Sequence, residues 1–83
     1  MGNAAEQLML KHDGEMRRAI EDGRRIANRL MISLSSISVN KPAAFELLDV
    51  TEMQHEVQML GERQMEFMAA RKAAQQAAAE AME

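Results

Sequence analysis

Two runs of apolar residues, each stepping by three and four positions, lie on either side of Pro42, the one proline in the chain. In the second run Leu47, Val50, Met53, Val57, Leu60, Gln64, Phe67 and Ala74 fall on one stripe of an α-helix, because a helix brings residues three and four apart onto the same side. In the first run Met16, Ile20, Gly23, Ala27, Leu30, Leu34 and Ile37 alternate steps of four and three without a break. A 3.5-residue repeat of this kind is the signature of helices that wrap around each other. A chain so patterned is expected to fold as an all-α antiparallel hairpin with a long C-terminal helix, assembling into an oligomer or helical filament.

The joint between the runs is legible in residue chemistry. Ser33, Ser35, Ser36 and Ser38 crowd the end of the first run, followed by the β-branched Ile37 and Val39. Serine competes with the helix for backbone hydrogen bonds, and β-branched side chains lose rotamer freedom in a helix. Proline disfavours helix at the residue before it and suits a first turn. These signals predict one hairpin domain over residues 1–83, with a helix at about 4–36, a turn at about 37–41 and a helix at about 42–81. A connection this short makes the helices antiparallel neighbours.

Within the helices, Asn3 with Glu6 three residues on has the form of a capping box. Gly14 is expected to interrupt the first helix, leaving residues 4–13 frayed or as a separate turn. Gly23 sits on the seam, where glycine costs about 1 kcal/mol relative to alanine. The regular flanks favour reading it as a point of close helix approach or a bend. Gly61 is the one weak point of the second helix, which would span nearly 60 Å at about 1.5 Å per residue.

Met59, Met65, Met68 and Ala69 lie off the second stripe, so that helix is apolar on more than one face and is suited to more than one neighbour. With 83 residues, no cysteine, two phenylalanines and nine methionines, the chain buries little by itself, and adaptable methionine takes over much of the packing. Charge is divided: residues 3–37 carry six basic and five acidic groups, residues 42–83 three basic and eight acidic. Basic groups on one helix facing acids on the other would favour antiparallel pairing and fix its register, each exposed pair contributing about 0–1 kcal/mol.

Several functions are disfavoured. A net charge of −3 with two aromatic residues fits neither a general nucleic-acid binder nor a base-stacking platform. No apolar run reaches the roughly 18 residues of a membrane span. Residues 1–10 carry Glu6 and no basic cluster, unlike a Sec-type leader. His12 and His55 lack a second histidine or cysteine at ligand spacing. Glu52-Met-Gln-His55 matches a di-iron Glu-x-x-His string once, without the other ligands such a site needs. Glu52, Glu56, Glu62 and Glu66 are spread along a helix with no implied pocket for acid–base work. Arg17-Arg18 and Arg24-Arg25, two turns apart, could bind phosphate or an acidic partner, but read better as an ion-pair face. No catalytic, cofactor or metal residue is therefore assigned. The residues expected to carry packing and self-association are Leu30, Leu34, Leu47, Val50, Met53, Val57, Leu60 and Phe67.

The stretch Pro42-Ala-Ala-Phe45-Glu-Leu47-Leu48-Asp-Val50-Thr-Glu-Met53-Gln54-His-Glu-Val57-Gln58 resembles the C-terminal half of small type III secretion subunits: needle, inner-rod and Hrp-pilus subunits and the related flagellar rod-adaptor protein. The likeness runs over roughly residues 33–72. It departs from the family in having Pro42 alone at the turn and an alanine-rich end. The resemblance implies a subunit that polymerises into a hollow tube or rod and is exported unfolded without a cleaved signal, meeting its own copies and other secretion-apparatus proteins. The alternative left open by the residues is a small cytoplasmic regulatory module or secretion co-chaperone that masks a partner helix.

Overall fold

A computed structural model describes residues 4–82 of the chain. It contains three helices: α1 (Ala4–Ser35), α2 (Pro42–Glu46) and α3 (Val50–Ala81). α1 and α3 are each 32 residues long and pack against each other as an antiparallel hairpin. The result is a rod with extents of 62 × 19 × 14 Å and a radius of gyration of 18.9 Å, against about 12 Å for a compact chain of this length. The Asn3 cap expected at the start of α1 lies outside the described residues.

α1 runs through Gly14 without a break, contrary to the expected interruption. A single interior glycine costs about 1 kcal/mol, which helix-forming neighbours on both sides offset. Its C-terminus ends in the serines, whose hydroxyls take up carbonyls that the helix leaves without partners. Ser35 Oγ donates to Ile32 O at 2.9 Å and Ser36 Oγ to Ser33 O at 2.7 Å. The Asn40 N–H then donates to Ser38 Oγ at 3.2 Å and the Lys41 N–H to Ser38 O at 3.0 Å, closing the turn before Pro42.

The helix expected to run unbroken over 42–81 is interrupted at residues 47–49. α2 is a single turn begun by Pro42 in the first helical positions. Asp49 then opens α3: its side chain accepts the Glu52 N–H at 2.9 Å, the bond an N-cap residue makes. This cap satisfies a donor at the new helix end. Beyond it α3 passes through Gly61 without a break.

The seam is a strict alternation of threes and fours on both helices. On α1 the residues turned inward are His12, Met16, Ala19, Gly23, Ile26, Leu30 and Ser33. On α3 they are Met53, Glu56, Leu60, Arg63, Phe67, Ala70, Ala74 and Ala77. Three of the seven residues expected on the first stripe and two of the eight on the second are thus corrected by one residue: Ala19, Ile26 and Ser33 take the places given to Ile20, Ala27 and Leu34, and Glu56 and Arg63 those given to Val57 and Gln64. Ile20 and Leu34 are more than half exposed, and Ile37 is also exposed. Among the described residues the buried hydrophobic side chains are Ala19, Ile26, Ala70 and Ala77. Three of these four contribute only a methyl group, so the core is thin.

Gly23 lies on the α1 side of the seam, opposite Leu60 and Arg63. It is buried, and a Cβ built there would lie 3.4 Å from Leu60 Cδ1 and 3.8 Å from Arg63 Cβ. Gly23 therefore faces α3 on the seam, at a distance where an alanine methyl would make ordinary contact, and α1 continues through it without a break.

Candidate functional site: the apolar flank of the hairpin

In an antiparallel helix pair, the positions just after one half of the seam residues face out on one broad side, and those just before the other half face out on the opposite side. The two sides of this hairpin differ in chemistry. On one side α1 presents Ile20, Ala27 and Leu34, and α3 presents Val50, Val57 and Gln64. On the other α1 presents Glu15, Asp22 and Arg29, and α3 presents Glu52, Met59 and Glu66. The apolar side holds an open groove of ≈ 790 Å³ whose walls include Ile20, Ala27, Val57, Leu60 and Gly61, with Arg24 at its edge. Ile20 is 56% exposed and Val57 57%, so the groove is bounded by apolar side chains that the hairpin alone leaves in water.

The expected packing residues divide between seam and flank. Leu30, Met53, Leu60 and Phe67 are half-buried on the seam. Leu34, Val50 and Val57 are exposed on the apolar flank, and Leu47 is exposed in the break between α2 and α3. Val57, expected between helices, thus makes no part of the intrachain core. Met65 and Met68, expected off the stripe, are exposed, whereas Met59 is half-buried. A second groove of ≈ 520 Å³ lies towards the other end of the rod, between Met9, Leu10 and Met16 of α1 and Ala74 of α3.

Sequence reasoning missed the polar residues of the seam. Glu56 Oε2 and Arg63 Nε are buried without hydrogen-bond partners. Arg63 lays its stem and Nε in the seam and turns the outer end of the guanidinium towards Glu62 and Glu66, as long basic side chains do. There Nη2 meets Glu66 at 2.9 Å and, more loosely, Glu62 at 3.7 Å. His12 Nδ1 lies 3.4 Å from Glu15 Oε1 without the geometry of a hydrogen bond. A polar group at a seam position lowers stability and specifies register. The signal for these positions was the steady 3–4 spacing from Met53 through Leu60 to Phe67, which passes through Glu56 and Arg63 as readily as through Val57 and Gln64.

Arg17 and Arg25, expected on an interhelix or intersubunit ion-pair face, find their acids within α1. Arg17 reaches Asp13 at 3.2 Å and Arg25 reaches Asp22 at 3.3 Å, both along α1, since residues three and four apart are neighbours on a helix surface. Arg71 stands over the Phe67 ring at 5.8 Å, within reach of a cation–π contact. His55 is exposed, and among the described residues no three His, Cys, Asp or Glu side chains cluster so as to hold a metal ion. No described helix is long and apolar enough to cross a membrane. Comparison with protein-family models, with curated proteins and with solved structures finds no match.

Proposed function

We propose that the chain is a structural, non-enzymatic subunit that works by associating with further copies of itself. The observation that carries this reading is the apolar flank, where Ile20, Leu34, Val50 and Val57 stand more than half exposed beside a core made mostly of alanine. Fully burying a side chain of this size is worth about 1.5–3 kcal/mol relative to leaving it in water, and a chain with so little buried interior gains much of its stability by covering them. The likeness of the stretch after Pro42 to type III secretion subunits adds the class of assembly: a needle, rod or pilus whose subunits leave the cell without a cleaved signal. Negative-stain microscopy and light scattering of the purified chain test this. Particles larger than one chain, growing with concentration, are expected; a monomer throughout rejects self-association, and discrete particles that never elongate reject the filament.

A second reading is favoured by the shape of the groove, an open trough lying along the hairpin that suits the side of one further helix. In that case the chain is a binding module or co-chaperone that covers a partner's helix. It would remain monomeric alone and form a stable 1:1 complex.

A further inference from the structure

We infer that the apolar groove takes a helix of a different protein, one whose apolar stripe is bordered by glutamate or aspartate. This rests on the binding-module reading above and adds to it the charge that the partner carries.

The groove has the length of a short helical segment. Its walls run from Ala19 to Ala27 on α1 and from Val57 to Phe67 on α3, and ten residues of helix measure about 15 Å, nearly three turns. A helix seated there offers apolar side chains at i, i+3 or i+4, and i+7. The trough is open to it. Gly61 lies in the wall, and a Cβ there would meet nothing within 4 Å.

The sign of the partner's charge comes from what the groove contains and what it lacks. Among the described residues its charged lining consists of Arg24 and Arg63, and no carboxylate lines it. The two arginines differ. Arg63 is held by Glu66 at 2.9 Å and more loosely by Glu62 at 3.7 Å. Arg24 makes no ion pair among the described residues, while Arg17 and Arg25 on the same helix hold Asp13 and Asp22. Glu21, three positions before Arg24, is not within ion-pair reach of it. In the open groove water screens the Arg24 charge. A docked helix displaces part of that water, and the interaction of Arg24 with any charge beside it then strengthens. A carboxylate next to the apolar stripe of the visiting helix is attracted, and an ammonium group there opposes binding.

Fluorescence anisotropy with three labelled helical peptides of about 14 residues tests the inference. All carry the same leucine stripe, bordered by glutamate in the first, glutamine in the second and lysine in the third. The glutamate peptide is expected to bind about fivefold tighter than the glutamine peptide, and the lysine peptide more weakly than either. The chain's net charge of −3 by itself favours the lysine peptide, so a preference for glutamate reports the groove and not the whole molecule. The margin should shrink as salt is raised. Arg24→Glu should reverse the order of the two charged peptides. Arg29→Glu, the same charge change on the opposite side of the hairpin, should preserve it. Val57→Glu should weaken the glutamine peptide tenfold or more, and Val57 is 57% exposed, so the hairpin does not depend on it. No binding by any of the three peptides overturns both this inference and the binding-module reading. Equal binding of the glutamate and glutamine peptides, tighter binding of the lysine peptide, or reversal by Arg29→Glu as well as by Arg24→Glu overturns the inference and leaves the binding-module reading standing. Glutamine-peptide binding undiminished by Val57→Glu places the peptides outside the groove and likewise overturns the inference.

Discussion

Replacing Gly23 by alanine is expected to stabilise the protein, and the size of the gain measures how closely the two helices pack. Two terms act in the same direction. Alanine is favoured over glycine inside a helix by about 0.5–1 kcal/mol. The added methyl would sit 3.4 Å from Leu60 Cδ1 and 3.8 Å from Arg63 Cβ, which is ordinary contact, and burying one carbon at such a distance contributes up to about 0.8 kcal/mol. The net expectation is about 1–1.5 kcal/mol, a rise in melting temperature of roughly 4–10 °C for a domain of this size. Gly14→Ala serves as the reference, since a Cβ there meets nothing within 4 Å and reports helix propensity alone. The assay is thermal and urea denaturation followed by circular dichroism, all variants at one protein concentration. If Gly23→Ala destabilises by 1 kcal/mol or more while Gly14→Ala stabilises, the helices approach more closely than the seam drawn here and the pairing of Gly23 with Leu60 is wrong.

Three other outcomes follow from particular residues. Asp49→Ala should cost about 1 kcal/mol through loss of the N-cap bond to Glu52, while Pro42→Ala changes stability by less than about 1 kcal/mol; equal losses in urea melts would mean that α3 does not begin at Asp49. Ile26→Ala should cost about 2–4 kcal/mol because Ile26 is 3% exposed, while Ile20→Ala in dilute solution costs much less; similar values would place Ile20 on the intrachain seam. Glu56→Leu should be neutral or stabilising, since it removes a buried oxygen without a partner; a loss above about 2 kcal/mol would show that Glu56 is satisfied in a way the hairpin does not provide.

The hairpin was legible from the chain because two regular runs and one proline leave few alternatives. The phase of the seam was not. α1 is apolar at two adjacent sets of positions, Ala19 and Ile26 in one and Ile20, Ala27 and Leu34 in the other, and spacing alone does not say which set faces the partner helix. The structure turns Ala19 and Ile26 inward and leaves Ile20 and Leu34 exposed. On α3 the same three–four spacing fits Val57 and Gln64 as well as Glu56 and Arg63, and a charged residue at a seam position is uncommon. The break at residues 47–49 did have a signal: Asp49 with Glu52 three residues later is the pattern of a helix start, obscured by the apolar residues on both sides of it.

On the proposed reading, the hairpin leaves too much apolar surface uncovered to be the finished molecule. If so, folding and association are linked by mass action, because any species that binds only the folded chain stabilises it. Circular dichroism and sedimentation together, over a hundredfold range of protein concentration, test this directly. Helicity and melting temperature are expected to rise with concentration as the monomer gives way to larger species; a chain that stays monomeric with constant helicity and constant melting temperature over the whole range would contradict the account.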